Sequence, residues 1–137
     1  MAGKATVFDY ETIGDILIVT PKRDVTSFRD HELRDAYNEA YRQLMSGSLR
    51  NIIFDLSHLD HFGSTFVGMM LRLAKRSGDN GGSTVLCHMS DNVRHILKQL
   101  MLLENPKTGF LWRQMPTRAN AVEWIESTQE SDEEPNV

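Results

Sequence analysis

The chain is predicted to fold as a single α/β domain with a mixed, mostly parallel sheet of about five strands and about four helices. Short apolar segments alternate with longer amphipathic ones, which is the pattern of strands connected by helices. The first two strands are separated only by a Gly-Asp turn, which favours an antiparallel hairpin at the sheet edge. A later strand is apolar without interruption, as expected where helices cover both faces of a sheet.

The first half of the chain is predicted to contain the edge hairpin, the first helix and a central strand. Residues 7–10 and 16–20 are the two strands of the hairpin. Residues 30–45 are the clearest helix, and Gly47 supplies its termination. Its apolar residues recur at steps of three and four: Leu33, Ala36, Tyr37, Ala40, Tyr41 and Leu44. Residues 51–56 form the apolar central strand.

The second half continues the alternation of helices and strands. The predicted elements are a second helix at 65–77, a strand at 84–87, a third helix after Ser90 or Asp91, a last strand at 110–112 and a fourth helix capped by Thr117. Residues 129–137 are acidic, and their single apolar residue is the last one, which is typical of disorder. The predicted domain therefore spans residues 5–127, followed by an acidic disordered tail at 128–137.

The composition argues against several classes of function. Four acids in residues 129–137 account for the net charge of −4, so the folded body is near neutral and has no basic stripe for nucleic acid. No apolar run reaches the length of a membrane span, and no charged-then-apolar signal opens the chain. The single cysteine, Cys87, cannot form an internal disulfide. We therefore expect a cytoplasmic protein that binds neither nucleic acid nor membrane.

The loop after the central strand carries the best candidate functional residue, Ser64. Functional loops of parallel sheets gather at the carboxyl ends of the strands. Ser64 is predicted to cap the second helix with its hydroxyl. A phosphate there would lie at the positive end of the helix dipole, so the helix would tolerate it. A partner packed over the same spot would bury that charge without a counterion, so phosphorylation would switch binding off.

The second helix is apolar on more than one face, and the sheet can cover only about half of that surface. Part of it, around Phe66 or Met69, is therefore predicted to be an exposed apolar patch beside Ser64. The predicted partner-binding residues are Asp60, His61, Phe62, Gly63, Ser64, Thr65, Phe66, Val67 and Met69. The alternative interpretation is an ordinary helix cap in front of a core helix.

Metal binding and catalysis find little support in the sequence. His58, Asp60 and His61 lie close together, with Cys87 and His88 at a neighbouring strand end, but the spacing matches no known ligand pattern. The glycines at 78–82 lack the Lys-Ser/Thr of a phosphate-binding loop. Ser64 is not part of a Gly-x-Ser-x-Gly elbow. We therefore expect no enzyme activity, no metal and no cofactor.

The stretch from Asp55-Leu56-Ser57 through Leu71 resembles the signature of STAS domains, the anti-anti-sigma factors and their relatives. The resemblance covers about residues 5–127 and includes Asp24-Val25-Thr26 and Pro116-Thr117. It implies a regulatory protein that binds a serine kinase, itself an anti-sigma factor, and so releases a sigma factor. Phosphorylation would end this binding, and a phosphatase would restore it. The phosphoacceptor maps to Ser64, with Thr65 as second choice.

Two positions depart from the family pattern. The aspartate of the motif is Gly63 here, and the glycine after the second hydroxyl residue is Phe66. Two alternatives to the phosphorylation switch remain open, and these departures favour the first of them. One is a non-phosphorylated scaffold or oligomer subunit, such as a homodimer, within a signalling complex. The other is a STAS domain that binds a small ligand or nucleotide.

Overall fold

The computed structural model describes residues 7–22, 24, 28–103 and 112–133. Within these ranges the strands are β1 (Phe8–Ile13), β2 (Ile16–Pro21), β3 (Asn51–Asp55), β4 (Thr84–Cys87) and β5 (Arg113–Met115). The helices are α1 (Asp30–Met45), α2 (Ser64–Asp79), α3 (Asp91–Gln99) and α4 (Arg118–Glu133). This is the predicted order of elements, and the α/β class is confirmed.

The five strands lie in the sheet in their order along the chain. β1 pairs antiparallel with β2, whereas β2, β3, β4 and β5 pair parallel to one another. Gly14 makes the hairpin turn with φ +59°, a backbone conformation that favours glycine. The mixed, mostly parallel sheet with an antiparallel edge is therefore confirmed. Since parallel strands share a direction, the loops that follow β3 and β4 leave the sheet at the same end, where the carboxyl termini of the strands lie.

Helices cover both faces of the sheet. On one face, Ile52 and Phe54 of β3 join a cluster with buried residues of α1, α2 and α3. On the other face, Ile53 packs in a cluster with Ala121 and Ile125 of α4. Because successive side chains of a strand point to opposite faces, a strand between two helical layers must be apolar throughout. The uninterrupted apolar run in the central strand has this cause.

The carboxyl end of α2 is fixed by buried hydrogen bonds. Ser77 is fully buried, and its hydroxyl contacts the carbonyl oxygens of Arg50 (2.6 Å) and Ser83 (3.1 Å). Asn80, which follows α2, donates its side-chain amide to the carbonyl oxygen of Leu44 (2.9 Å) in α1. These bonds tie one end of α2 to the end of α1, to the start of β3 and to the residue before β4.

Two strands differ from the predicted ranges by more than one residue. β1 extends to Ile13 because every residue from 8 to 13 is paired with β2, although most of these residues are polar or exposed. The last strand lies at Arg113–Met115 rather than at 110–112. Trp112 is instead buried in the core just before the strand, and residues 110 and 111 lie outside the described residues. β5 has little apolar character, so its pairing with β4 decides its position.

Helix α4 continues through Glu133, whereas residues 128–137 were predicted to be a disordered tail. Composition predicts disorder there, but no glycine or proline interrupts the chain between Arg118 and Pro135. Residues 134–137 lie outside the described residues, and the domain boundary at residue 127 stays a prediction. Neither α4 nor any other helix of the described ranges combines the length and the apolar character that crossing a membrane requires.

Candidate functional site

The loop between β3 and α2, residues 56–63, is anchored by three buried apolar side chains. Leu56, Leu59 and Phe62 are at most 9% exposed, and the N–H of Leu59 donates to the carbonyl oxygen of Leu56 (3.1 Å). The other loop residues share exposure to solvent: Ser57, His58, Asp60, His61 and Gly63. Burial of the three anchors therefore fixes the path of the loop and leaves its polar groups on the surface.

Asp24 braces the centre of this loop from a segment 36 residues earlier in the chain. Its carboxylate accepts the backbone N–H groups of Asp60 (2.8 Å) and His61 (3.1 Å). These two hydrogen bonds favour the charged carboxylate, so they hold the pKa of Asp24 below its usual value. The hydrogen bond from the Asp60 N–H has the larger effect. Asn92 of α3 donates its amide to the Asp60 carboxylate (3.1 Å). The loop is thus connected to two other parts of the fold.

Ser64 is the first residue of α2 and is exposed. The prediction that its hydroxyl caps the helix is wrong, because Gly63 occupies the capping position with extended backbone (φ −111°, ψ −177°) and no side chain caps the helix. The carbonyl oxygen of Gly63 already accepts the N–H of Val67 (3.3 Å), so the helix begins one residue earlier than predicted. Thr65, the second candidate hydroxyl, is also exposed.

The amino end of α2 carries no compensating negative charge. Its first turn contains no acidic residue. The first N–H groups of a helix lack partners within the helix, and together with the helix dipole they attract negative charge. A phosphate on Ser64 would be the first negative group in this turn. The end of α2 would therefore accept a phosphate without local repulsion from its own first turn.

The prediction of an exposed apolar patch beside Ser64 is wrong. Phe66 is 1% exposed, and its ring lies between those of Phe8 and Phe62, with centroids 6.2 and 5.9 Å away. Of the nine predicted partner-binding residues, four are buried: Phe62, Phe66, Val67 and Met69. The other five are exposed: Asp60, His61, Gly63, Ser64 and Thr65. The sequence argument counted only the sheet as cover for α2, but α1, β1 and the loop before α2 cover it too.

A second polar cluster lies at the end of β3 and was not predicted. The Asp55 carboxylate, in a residue only 5% exposed, accepts two hydrogen bonds from the guanidinium of Arg118, at 2.9 and 3.1 Å. The same guanidinium donates to Glu11 and to Thr20. Burial raises the pKa of Asp55, but hydrogen bonds from Ser57 and Arg118 outweigh burial, so its net pKa lies below the usual value. A buried acid at a strand end requires a partner, and that requirement was the available signal.

The donor atoms of Asp55, Cys87 and His88 lie within 4.8 Å of one another, close enough to suggest a metal site. The contacts around them argue otherwise. Arg118 already binds the Asp55 carboxylate, and its backbone N–H is donated to Nε2 of His88 (3.4 Å). Burial raises the pKa of the Cys87 thiol to about 12, which disfavours the thiolate that binds metals. This cluster therefore connects α4 to the sheet through hydrogen bonds.

The fold is similar to those of several solved anti-sigma factor antagonists. SpoIIAA in its unphosphorylated form is 19% identical, with a TM-score of 0.72 over 88% of this chain and 96% of that chain. Phosphorylated SpoIIAA from Bacillus is 18% identical, with a TM-score of 0.63 over 86% and 98%. A serine-to-glutamate variant of RsbS from Moorella thermoacetica is 11% identical, with a TM-score of 0.72 over 90% and 97%. At these identities the similarity shows a common fold.

The sequence itself provides the family assignment. The family model described as the STAS domain matches residues 7–113, which is most of the chain. The match spans β1 through the start of β5 and therefore includes the loop, Ser64 and the whole of α2. The chain belongs to the STAS domain family.

Proposed function

We propose that this chain is a non-enzymatic regulatory module of the anti-sigma factor antagonist type, switched off by phosphorylation of Ser64. Its partner would be a serine kinase that is also an anti-sigma factor, and a phosphatase would restore binding. The observation that carries the proposal is the exposed hydroxyl of Ser64 on the first residue of α2, directly after a braced surface loop. Structural neighbours that are anti-sigma factor antagonists support it. Such a role belongs in the cytoplasm.

The proposed docking surface is polar and consists of five exposed residues: Asp60, His61, Gly63, Ser64 and Thr65. Asp24 and the buried anchors of the loop hold this surface in place, so little ordering is needed when a partner binds. Gly63 replaces the aspartate expected from the family motif, so the surface lacks one negative charge beside Ser64. We therefore expect a partner whose contact area tolerates a neutral residue there.

Phosphorylation would act through charge rather than through unfolding. A phosphate adds about −1.5 to −2 charges at pH 7, and α2 accommodates negative charge at this end. A partner covering Ser64 would have to bury those charges without a counterion. A hundredfold loss of affinity corresponds to only about 2.7 kcal/mol, which a buried unpaired charge readily exceeds.

The test is a binding titration of the purified chain against the serine kinase of its own signalling system. We expect Ser64→Asp to bind at least about 100-fold more weakly than the unmodified chain. Ser48→Asp is the matched control, because Ser48 is also exposed but lies near the opposite end of α2. Thr65→Asp reports which hydroxyl matters. Equal binding by Ser64→Asp and the unmodified chain would contradict the proposal, as would equal losses for Ser64→Asp and Ser48→Asp.

A scaffold or homodimer role has one specific observation in its favour. Leu100 and Met101, adjacent at the end of α3, are 50% and 66% exposed. Large apolar side chains exposed side by side are a feature of protein-binding surfaces. Sedimentation at micromolar concentration tests this role with Met101→Lys as the comparison. A dimer that Met101→Lys dissociates would support it, and a strictly monomeric chain would contradict it.

A further inference from the structure

One face of α2 continues from Ser64 towards the carboxyl end of the helix. Ser64, Gly68 and Arg72 follow one another at steps of four residues, so they lie on this face in successive turns. Ser64 and Arg72 are exposed, and Gly68 is half-buried. Side chains of a helix point back towards its amino end, which directs Arg72 towards Ser64. The Arg72 guanidinium therefore belongs to the surroundings of the proposed phosphorylation site.

Two contacts define the position of the Arg72 guanidinium. Its carbon lies 5.4 Å from the ring centroid of Tyr37 in α1, within the range of a cation–π interaction. Its Nη2 lies 3.6 Å from the place that a Cβ would occupy at Gly68, so the guanidinium reaches back over the preceding turn of α2. The Tyr37 ring packs in turn against that of Tyr41, with centroids 5.7 Å apart. The cation is thus held beside Gly68, one helical turn from Ser64.

Among the described residues, Arg72 has no ion-pair partner. Lys75, the next cation on this side of α2, lies 3.5 Å from the carboxylate of Asp79. Burial raises the pKa of Tyr37 more than the guanidinium lowers it, so the Tyr37 hydroxyl stays protonated and supplies no negative charge. Arg72 therefore presents an exposed guanidinium, fixed in position and not neutralised by a carboxylate, next to the proposed docking surface.

We propose that the Arg72 site, made up of Tyr37, Gly68 and Arg72, binds an acidic side chain of the protein partner that docks at Ser64. An arginine guanidinium pairs with a carboxylate through two parallel hydrogen bonds. Gly68 has no side chain, so a carboxylate can approach the guanidinium from the direction of Ser64. Tyrosine and arginine are also enriched among the residues that dominate protein interfaces. This inference rests on the proposed function, because its occupant is the partner of that function.

An acidic contact at Arg72 adds a second source of repulsion to the proposed switch. The carboxylate of the partner lies about one helical turn from the Ser64 hydroxyl. A phosphate on Ser64 therefore faces a negative group of the partner, and it competes for the same guanidinium. The contact itself joins opposite charges at an exposed site, so its contribution to binding decreases as the salt concentration rises. Salt dependence is thus a second readout of the Arg72 site.

The test compares two cations of α2 in binding titrations against the serine kinase. Arg72→Gln should weaken binding at least about 10-fold and make it less dependent on salt. Arg72→Lys keeps the charge but cannot form two parallel hydrogen bonds, so its loss should be intermediate. Lys75→Gln is the matched control, because it removes the same charge from an exposed residue that Asp79 already neutralises, and it should change binding less than about 2-fold. Equal losses for Arg72→Gln and Lys75→Gln would overturn the inference, because long-range attraction would explain both.

Failure of this inference and failure of the proposed function give different results. If Ser64→Asp weakens kinase binding while Arg72→Gln binds as well as the unmodified chain, the proposed function stands and the inference is overturned. If the unmodified chain does not bind the kinase, both are overturned. If Arg72→Gln leaves kinase binding unchanged but dissociates a homodimer in sedimentation, the occupant of the site is a second copy of this chain, and the inference is again overturned.

A double-mutant cycle tests whether Tyr37 positions Arg72 for the partner. Tyr37→Leu removes the ring beneath the guanidinium, so it should weaken kinase binding about 3-fold in the unmodified chain and add no loss in the Arg72→Gln background. Thermal melts followed by circular dichroism check that each variant is folded. Equal losses in both backgrounds would show that Tyr37 acts independently of Arg72, and the two residues would then not form one site.

Discussion

The two ends of α2 are built differently. At the carboxyl end, buried Ser77 and the Asn80 side chain bond to backbone carbonyl groups of neighbouring segments. At the amino end, Gly63 caps the helix without a side-chain bond, and Ser64 and Thr65 face solvent. One end is held by the rest of the fold, and the other presents hydroxyl groups to the surroundings.

This difference would allow α2 to carry the proposed switch without loss of stability. Buried hydrogen bonds at one end hold the helix in place, so the other end needs no side-chain cap to remain ordered. A charge added to Ser64 therefore changes the surface while the anchored end and the core beneath α2 remain unaffected. We expect substitutions at Gly82, Phe66, Arg118 and Gly63 to change the stability of the protein by amounts that decrease in that order.

The anchored end should tolerate no added volume at Gly82. A Cβ built there would lie 1.9 Å from the carbonyl oxygen of Arg50. This oxygen belongs to the backbone, so it cannot move away without distorting the chain. We expect Gly82→Ala to lower the free energy of unfolding by about 4 kcal/mol or more, measured by urea denaturation. Gly78→Ala is the control. Gly78 lies inside α2, and a Cβ there would have no neighbouring atom within 4 Å, so this substitution should raise the free energy of unfolding by about 0.5–1 kcal/mol. Similar effects for both variants would refute this account.

At the amino end of α2, Phe66 should behave as a core residue. It is 1% exposed and contacts the rings of Phe8 and Phe62. Phe66→Ala should therefore lower the free energy of unfolding by about 3 kcal/mol, whereas Thr65→Ala, on the exposed face, should change it by less than about 0.5 kcal/mol. If Phe66→Ala left stability intact and only weakened partner binding, the sequence-based assignment of Phe66 to a docking patch would be restored.

The helices and central strands of the fold could be predicted because local signals and tertiary contacts agree there. The α1 bounds follow from its apolar stripe and from Gly47, whose φ is +91°. β5 could not be placed because its three residues carry no apolar alternation, and only pairing with β4 defines the strand. Position in a parallel sheet predicted that the loop and Ser64 follow the carboxyl end of β3, and the structure places them there with Ser64 exposed. Whether Phe66 faces solvent depends on α1, β1 and Phe62, which a periodic pattern does not reveal.

Two contacts at the site join residues that are far apart in the chain, and sequence analysis did not predict them. Asp24 lies 36 residues before Asp60, and Arg118 lies 63 residues after Asp55. No local pattern specifies which distant side chain completes such a pair. A buried aspartate at a strand end predicts that a partner exists, but the fold decides that Arg118 is that partner.

The ion pair between Asp55 and Arg118, at the carboxyl end of β3, should make the stability of the protein depend on pH. Because the pKa of Asp55 is lowered in the folded protein, its stabilising contribution is present above its unfolded pKa of about 3.9 and is lost as the pH falls through the folded pKa. Arg118→Met should cost about 2 kcal/mol at pH 7, less than for a fully buried pair because Arg118 is 34% exposed.

The measurement is urea unfolding of three proteins, the unmodified chain, Arg118→Met and Asp55→Asn, between pH 7 and pH 3. The cost of Arg118→Met should shrink as the solution is acidified, since protonation removes the buried charge that the substitution leaves unpaired. In the Asp55→Asn background, the cost of Arg118→Met should be small at every pH. A cost that is the same at pH 7 and pH 3 would show that Arg118 stabilises the fold through packing rather than charge.

The smallest effect should come from placing an acidic residue at position 63, the capping position at the amino end of α2. Gly63 has an extended backbone that any residue adopts, and a Cβ there would meet nothing within 4 Å. Gly63→Asp should raise the free energy of unfolding by about 0.5 kcal/mol, because the carboxylate can accept an N–H of the first turn and lies at the positive end of the dipole. Gly63→Asn, which caps without charge, separates the two contributions.

Gly63→Asp also tests how a negative charge beside Ser64 affects binding of the proposed partner. It restores the aspartate of the family motif one residue before Ser64, so a partner shaped for that motif should bind the variant at least as well as the unmodified chain. A partner adapted to the neutral residue should bind it more weakly, because the added carboxylate would be buried in the interface. A calorimetric titration distinguishes the two partners. Destabilisation by Gly63→Asp would contradict the inference that this helix end attracts negative charge, and with it the reason that α2 tolerates a phosphate on Ser64.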